Sequence, residues 1–380
     1  MSFSLSSAPK GVFAIVLAAA LAGCGSKDSH QQYEAAKEAF ELRDYAKADK
    51  LLEKLLENSP GNADALVLKT QVKLAIGELA DAAEAIRRAS EIAGGDSDVR
   101  MLDAQIAWHS KDYKRAADLF TAMATDMKLP ADIRSQALSG LGIVEMTCNN
   151  SHLSRIAFLK AIRVDRRNPA AWYHLGLLYR DGFGYNDAAL EQFQIFVRLN
   201  ENADLRVQKV QKSVMPALKE MIQNYASSRP GASSRDSAAA AAAISAAQSA
   251  AKKGAWKTAK AQYEKALKAD PLSHPAALGL SRAWAKTDTS KLGRQKRLEY
   301  MQMACQLNPY AVAVYLETGA LALQLGHFGS AVEIYSRALA AAPSNIEAID
   351  GLIRALRKTG KNSIAKAYQS YRDMIAAKRK

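Results

Sequence analysis

Residues 315–345, YLETGALALQLGHFGSAVEIYSRALAAAPSN, decide the fold. The segment predicts two antiparallel helices, because the small residues Gly319 and Ala331 let two helices approach closely and Tyr335 fills the gap beside them. Pro343 ends the second helix, since proline lacks the backbone N–H that a continuing helix needs. One such pair cannot bury its apolar face alone, so the segment also predicts neighbours that stack on it.

The rest of the chain repeats this pattern at a regular interval. The columns that share one period are Tyr45, Leu79 and Tyr113; Ala48, Ala82 and Ala116; and Leu52, Ile86 and Phe120. A second set recurs further along, with Trp256, Ala259, Tyr263, Ala266 and Pro271 returning as Phe328, Ala331, Tyr335, Ala338 and Pro343. This second shift is twice the period plus four, and residues 287–293 hold the extra positions. Such self-similarity predicts a repeat protein.

The period and the residue types resemble the tetratricopeptide repeat (TPR), whose unit is about 34 residues long. Residues 172–193, WYHLGLLYRDGFGYNDAALEQF, match its first-helix signature at Trp172, Leu175, Gly176 and Tyr179, with one extra residue near "DGFGY". The resemblance implies an all-α TPR solenoid of antiparallel helix pairs, arranged as two stacked arrays joined by a linker. One continuous superhelix is the alternative.

Nine repeat units fit this register. Five of them define an N-terminal array over residues 29–200, at 29–62, 63–96, 97–134, 135–168 and 169–200. Four more define a C-terminal array over residues 238–380, at 240–273, 274–311, 312–345 and 346–377. Residues 201–237 predict a capping helix, kinked near Pro216, followed by a linker rich in Ser, Pro and Gly.

Charge is unevenly spread along the 380 residues, whose formal net charge is +14. Residues 25–200 carry 23 Lys and Arg against 25 Asp and Glu, whereas residues 236–380 carry 22 against 10. A positive C-terminal array favours acidic partners: anionic lipids, acidic protein segments, anionic glycans or nucleic acid. A solvated, lysine-rich surface is the alternative.

The first 24 residues predict an export signal. Lys10 precedes the apolar run GVFAIVLAAALAG, residues 11–23, which is shorter than the 20 or so apolar residues that span a bilayer. A run of this length is typical of the apolar core of a secretory signal.

The end of this segment resembles the bacterial lipobox: Leu21, Ala22, Gly23 and Cys24. The resemblance implies removal of residues 1–23 and attachment of acyl chains such as palmitate to Cys24, with residues 24–31 as a polar tether. Because Gly25 rather than Asp follows, it also implies the periplasmic side of the outer membrane if the cell has two membranes. An ordinary signal peptide with an accidental cysteine is the alternative.

No catalytic or metal-binding pattern stands out. The six histidines are scattered and lack zinc-site spacing, and neither GxxxxGK[ST] nor GxSxG occurs. Cys148 and Cys305 are far apart, so we expect two buried or half-buried thiols rather than a disulfide. The sequence predicts a protein that is not an enzyme and has no cofactor and no metal.

The resemblance also implies where partners bind. Positions 2, 5, 9, 12 and 13 of each first helix face the concave side of such arrays, and the partner-binding candidates there are Trp108, Tyr173, Arg180, Lys252, Arg282, Lys286, Arg354, Arg357 and Lys358. Packing between neighbouring units is the alternative role for Trp108, and solvation is the alternative for the cations. The family's carboxylate-clamp specificity is not implied, because these units carry mostly Ala, Leu or Tyr at the clamp positions.

Three functions fit these features. The first is a membrane-anchored scaffold of the bacterial envelope that gathers proteins or peptides for pilus, secretion, outer-membrane or cell-wall assembly. The second is a binder of an anionic exported polymer such as a polysaccharide, through the basic C-terminal array. The third is a non-catalytic regulator of a cell-wall enzyme. Nucleic acid suits the charge but not an exported protein.

Overall fold

The computed structural model describes residues 27–200, 205–228 and 235–377. The lipobox, Leu21 to Cys24, lies outside these residues. All regular structure in the described residues is helical, which confirms the predicted all-α, TPR-type fold of antiparallel helix pairs. Helix α1 begins at Lys27, so residues 27–31 of the predicted tether are helical.

Every predicted unit contains one helical hairpin. The hairpins before residue 200 are α1 (Lys27–Glu41) with α2 (Tyr45–Asn58), α3 (Ala63–Ile76) with α4 (Leu79–Ala93), α5 (Ser97–His109) with α6 (Tyr113–Thr125), α7 (Ala131–Thr147) with α8 (Ser151–Val164), and α9 (Pro169–Leu177) with α10 (Asn186–Leu199). A π-helical turn, Leu178–Gly182, follows α9 and takes up the extra residue that the sequence places near "DGFGY".

The later part of the chain contains the remaining helices. Helix α11 (Leu205–Lys209), a π-helical turn (Val210–Val214) and α12 (Met215–Ser227) come first, and Pro216 lies in the first turn of α12. The kink predicted near Pro216 stays a prediction, since this proline lies at the start of α12 rather than inside it. The hairpins that follow are α13 (Ser237–Lys252) with α14 (Trp256–Ala269), α15 (His274–Thr287) with α16 (Lys291–Leu307), α17 (Val312–Gln324) with α18 (Phe328–Ala341), and α19 (Ile346–Lys358) with α20 (Asn362–Ala377).

Backbone contacts divide the chain into two compact units. Unit 1 comprises the described residues up to 175 together with residues 195–211, and unit 2 comprises residues 176–194 together with those from 212 onward. The repeat register alone assigns residues 176–194 to the N-terminal array, whereas their contacts assign them to unit 2. Within unit 2, Asp187 forms a largely buried ion pair with Arg337.

Contact between an aromatic ring and glycine joins neighbouring helices in several hairpins of both units. The Tyr335 ring on α18 is 1% exposed. A Cβ added to Gly319 on α17 would lie 2.6 Å from Tyr335 Cζ, and one added to Gly351 on α19 would lie 2.3 Å from it. The ring therefore presses against its own hairpin and the next one, at positions where no other side chain fits. The same contact recurs in other hairpins: Phe120 with Gly140, Phe158 with Gly142, Phe193 with Gly176, and Tyr263 with Gly279.

The turn inside a hairpin requires one residue in the left-handed region of backbone space. Arg43, Gly77 and Lys111 fill this place in the first three hairpins, with φ of 62°, 85° and 63°. Glycine adopts this conformation without the steric cost that other residues meet. The turn therefore keeps its place in the repeat even where Arg or Lys stands instead of glycine.

The two described cysteines are free thiols, as expected. Cys305 is buried on α16, where its Sγ lies 3.4 Å from Thr318 Oγ1. Cys148 is exposed, which corrects the expectation that both thiols are at least half-buried. The reason is local, because Cys148 caps the C-terminal end of α7 in the hairpin turn, beyond the packed part of the helix.

His174 is a buried titratable group in unit 1. Its side chain on α9 is 5% exposed, and its ring stacks on Phe158 with centroids 5.9 Å apart. Burial, helped by the positive charge of Arg206, lowers the pKa of His174 from 6.5 to about 3. The neutral imidazole is therefore part of the packed core between α8 and α9.

We expect Gly351→Ala to destabilise unit 2 by about 1–3 kcal/mol, because the new methyl group collides with a rigid buried ring. Gly329→Ala on α18 is the matched control, since a Cβ there meets nothing within 4 Å. Urea unfolding, with hydrogen exchange of α17–α19 as the local readout, measures the difference. Equal free energies of unfolding for the two variants would show that the Tyr335 ring can move aside without cost.

We expect His174 to make unit 1 less stable as the pH falls from 6.5 towards 3. The unfolded imidazole takes up a proton in this range while the buried one stays neutral, so each pH unit costs about 1.4 kcal/mol. His174→Gln should flatten the pH dependence of the free energy of unfolding across the acidic range. His327→Gln, at an exposed position, is the control. An unchanged slope in the His174 variant would contradict the assignment.

Candidate interaction surfaces on the first helices of the hairpins

The first helix of each hairpin, here called the A helix, carries the candidate binding residues; the second is called the B helix. The A-face is the set of positions 2, 5, 9, 12 and 13 of the A helices, counted from the unit starts given above. Within unit 2, α13 contacts α15 and α17 contacts α19. The faces of α13 and α15 are therefore adjacent, as are those of α17 and α19, and each pair can present one surface.

The A-face of unit 2 combines an apolar row with exposed cations. Ile244, Leu278 and Leu316 share the fifth position, and each is half-buried. The exposed cations beside this row are Arg282 and Arg354 at the ninth position, Arg357 at the twelfth, and Lys252, Lys286 and Lys358 at the thirteenth. An apolar strip edged by positive charge is suited to an extended ligand that carries both apolar and acidic groups.

Two of these arginines are positioned by the same aromatic residues that hold the stack together. Arg354 lies beside the Tyr335 hydroxyl, and its charge partly offsets the rise in the Tyr335 pKa that burial causes. Arg282 has the same relation to Tyr263, where burial also raises the tyrosine pKa and the arginine opposes the rise. The two pairs have the same separation in sequence. The repeat thus places an arginine at equivalent points on α15 and α19.

The six candidate cations on α13, α15 and α19 of unit 2 are not used in ion pairs. Within the described residues, no carboxylate lies within salt-bridge distance of any of the six. Lys358 has one weak contact, with its Nζ 6.0 Å from the centre of the Phe328 ring. Since these charges do not support the fold through pairing, they remain available to a ligand.

An open groove lies beside α19 at the C-terminal end of unit 2. It has a volume of about 640 Å³ and is lined by Ile346, Glu347, Asp350, Ile353, Arg354, Arg357 and Gln369. Asp350 is engaged by Arg372, whose Nε lies 2.7 Å from Asp350 Oδ1. This pair neutralises one of the two acidic groups of the groove, which leaves Arg354 and Arg357 as its dominant charges.

The A-face of unit 1 has a different chemistry. Tyr33, Val67 and Met101 share the fifth position and are half-buried, while Gln71 and Gln105 occupy the ninth. At the fifth and ninth positions α3 and α5 are therefore uncharged where α15 and α19 carry arginine at the ninth, although Asp64 and Asp98 stand at the second position of the unit 1 face. Sequence reasoning missed these residues, because it selected large aromatic rings and charges, although their identical position in successive units was a usable signal.

Two unit 1 candidates have packing contacts. Trp108 is half-buried, and its Nε1 donates a hydrogen bond of 3.2 Å to Thr147 Oγ1 on the next A helix. The Tyr173 ring lies 5.1 Å from the Phe196 ring and 5.4 Å from the Arg206 guanidinium carbon. These contacts suit the packing alternative for Trp108, and they leave only part of either ring accessible.

Arg180 lies in unit 2, on the π-helical turn after α9. Its guanidinium donates two hydrogen bonds to the adjacent Asp181, of 2.6 and 2.7 Å. Its charge is therefore paired locally, in contrast to the cations on α15 and α19.

The described residues contain neither a metal-binding cluster nor a membrane-spanning helix. No group of three or more His, Cys, Asp or Glu side chains is arranged to hold a metal ion among residues 27–200, 205–228 and 235–377. In the same part of the chain, no helix has the length and apolar character that crossing a membrane requires.

Comparison with known proteins places the repeat in a family for part of the chain. The model of the tetratricopeptide repeat family matches residues 31–106, which span α1 to α5. No curated protein matches the sequence.

Solved structures with similar folds include three TPR-like examples. PilW, described as a widely conserved type IV pilus biogenesis factor, is 14% identical, covers 54% of this chain and 94% of its own, and gives a TM-score of 0.44. PilF of Pseudomonas aeruginosa is 17% identical. It covers 54% of this chain and 95% of its own, with a TM-score of 0.41. The MamA protein is 18% identical. It covers 49% of this chain and 94% of its own, with a TM-score of 0.37. At these scores the likenesses say nothing about what this chain binds, whereas the family match identifies residues 31–106 as tetratricopeptide repeat sequence.

Proposed function

We propose that this chain is a lipid-anchored TPR scaffold of the bacterial envelope, which holds protein partners on its A-faces during assembly of an envelope machine. The observation that carries the proposal is the pair of A-face rows, where half-buried apolar residues recur at one position of successive hairpins. A surface that repeats with the hairpins is suited to an extended segment of another protein, whose side chains can meet equivalent sites in turn.

The two A-faces would select different segments. The neutral row of unit 1, with Tyr33, Val67 and Met101, favours an apolar segment without charge. The row of unit 2 is bordered by Arg282 and Arg354, which favour a segment that also carries carboxylates, since complementary charge steers binding and fixes its register. A scaffold with two such faces can hold two different partners at once.

The membrane anchor in this proposal rests on the sequence. Cys24 follows a short apolar run and closely precedes the start of α1 at Lys27. Acyl chains contribute roughly 0.8 kcal/mol of membrane binding per buried CH₂ group, and more than one chain is needed for a durable anchor. The scaffold would then lie close to the bilayer, on the periplasmic side of the outer membrane if the cell has two membranes.

A second candidate function is binding of an anionic exported polymer along unit 2. The unpaired cations of its A-face favour it, because a polymer with regularly spaced charges could contact Arg282, Arg354 and Arg357 in turn. The apolar row between those cations is better suited to a peptide than to a hydrophilic polysaccharide. Regulation of a cell-wall enzyme would be one form of the scaffold function.

We expect a photo-crosslinking residue, p-benzoylphenylalanine, at Leu316 to capture a protein partner in intact cells of the source organism. The same residue at Glu333, which is exposed on the B helix α18, is the control. Adducts from Leu316 that are absent from Glu333 support the scaffold. A carbohydrate-containing adduct would favour the polymer instead, and equal adducts at both sites would argue against an A-face binding surface.

We expect the chain to incorporate labelled fatty acid and to fractionate with membranes, and Cys24→Ser to abolish both. Cys148→Ser, at the exposed thiol, is the matched control and should retain both. Lipid incorporation that is unchanged in the Cys24 variant would exclude this anchor without bearing on the A-faces.

A further inference from the structure

The groove beside α19 occupies the place where one more A helix would pack. Inside the stack, Tyr335 on α18 lies against Gly351 of the next A helix. The residue one period later on α20 is Gln369, and it lines the groove. No further A helix covers this side of α19 and α20 in the described residues. The groove is therefore an acceptor site that has the geometry of the stack but a polar residue in place of the aromatic ring.

In unit 1, the A helix α1 also has an open face. Helix α1 packs against α2 and α3, and no A helix precedes it among the described residues. In α19 the residues that meet the preceding hairpin include Ala348, Gly351 and Ala355, at positions 3, 6 and 10 of the unit. The equivalent residues of α1 are Gln31, Glu34 and Glu38, and all three are exposed.

These two surfaces have complementary charges. Glu34 and Glu38 form no ion pair in the described part of the chain, and neither do Arg354 and Arg357 in the groove. At the sixth position of α19, Gly351 is needed because the Tyr335 ring fills the space, whereas α17 carries Glu317 at its sixth position. In the groove that ring is replaced by the flexible Gln369, which leaves room for a longer side chain such as Glu34.

We propose that the groove of one copy receives helix α1 of a second copy, so that the hairpins of successive molecules stack head to tail. Glu34 and Glu38 face Gln369, Arg354 and Arg357 across this contact. The contact is heterologous, because it joins two different surfaces. One helix in one groove makes a small interface, so the association is weak, reversible and sensitive to salt.

The test is sedimentation velocity of the purified full chain in a non-ionic detergent that covers the apolar N-terminal segment. We expect the mean sedimentation coefficient to rise with protein concentration at low salt and to return to the monomer value at 0.5 M NaCl. Arg354→Glu with Arg357→Glu, and separately Glu34→Lys with Glu38→Lys, should each weaken self-association at least tenfold. Lys257→Glu with Lys265→Glu, exposed on α14, makes the same change in net charge as the first variant and should leave association unchanged.

Mixing the two non-associating variants separates pairing from a loss of folding. The groove of the arginine variant is then acidic and the α1 face of the glutamate variant is basic, while the other two surfaces of the mixture keep their native charges. The mixture should therefore associate like the native chain, although neither variant does so alone. Circular dichroism confirms that both variants are folded.

A chain that stays monomeric at every concentration, or variants that do not recover on mixing, would overturn the proposal. Self-association that changes neither with salt nor with charge reversal would also overturn the proposal, because such association would arise from the apolar N-terminal segment. Since only the purified chain is present, the outcome does not depend on whether the proposed envelope partners exist.

Discussion

The structure depends on one steric constraint, the contact of an aromatic ring with glycine between helices. Tyr335 fills a space that exists only because Gly319 and Gly351 lack a side chain, and equivalent rings meet glycine in other hairpins. Tyr335 ties the B helix α18 to its own A helix and to the next one, whereas each of the other rings ties one pair of helices. Where it occurs, the contact fixes the distance and the rotation of the two helices, and it determines which side of the A helix remains open.

That open side explains why the two sides of an A helix carry different kinds of residue. Small residues such as Ala348 and Ala355 are buried against the stack, whereas Arg354 and Arg357 on the same helix are exposed. Because an α-helix completes a turn every few residues, the two sets lie on different sides of the cylinder. Residues on the open side can vary without disturbing the stack, which is how the ninth position can carry glutamine on α3 and α5 and arginine on α15 and α19.

The sequence predicts the hairpins well because their determinants are local. The repeat period, the small residues and the terminal prolines place each hairpin, and the extra residue near "DGFGY" correctly marks an irregularity, which the structure shows as a π-helical turn. The exposure of Cys148 was not predicted, because the degenerate fourth unit gives no clear sign of where α7 ends. The turn residues Arg43 and Lys111 were missed for a related reason, since only glycine signals a left-handed conformation in sequence.

Other features are not visible in sequence because they join distant residues. Asp187 and Arg337 form an ion pair across a long stretch of chain, and with Arg337 also 4.6 Å above the Tyr185 ring, the pair helps to hold residues 176–194 in unit 2. The candidate site was predicted in part: the cations follow from register, but whether a side chain is already engaged, as Trp108 is by Thr147, depends on the next hairpin.

The pairing of charges separates structural cations from those that are free to bind. The buried cation Lys73 is paired, since its Nζ lies 2.7 Å from carboxylate oxygens of both Asp49 and Glu78. A partly buried charge needs such a partner to offset its loss of hydration. The A-face cations on α13, α15 and α19 have no carboxylate partner among the described residues and stay hydrated, so removing them would cost the stack little. These cations lie on the open side, beside an apolar row that the fold leaves half-covered. Their position is therefore better explained by binding of a ligand at this surface than by folding of the chain.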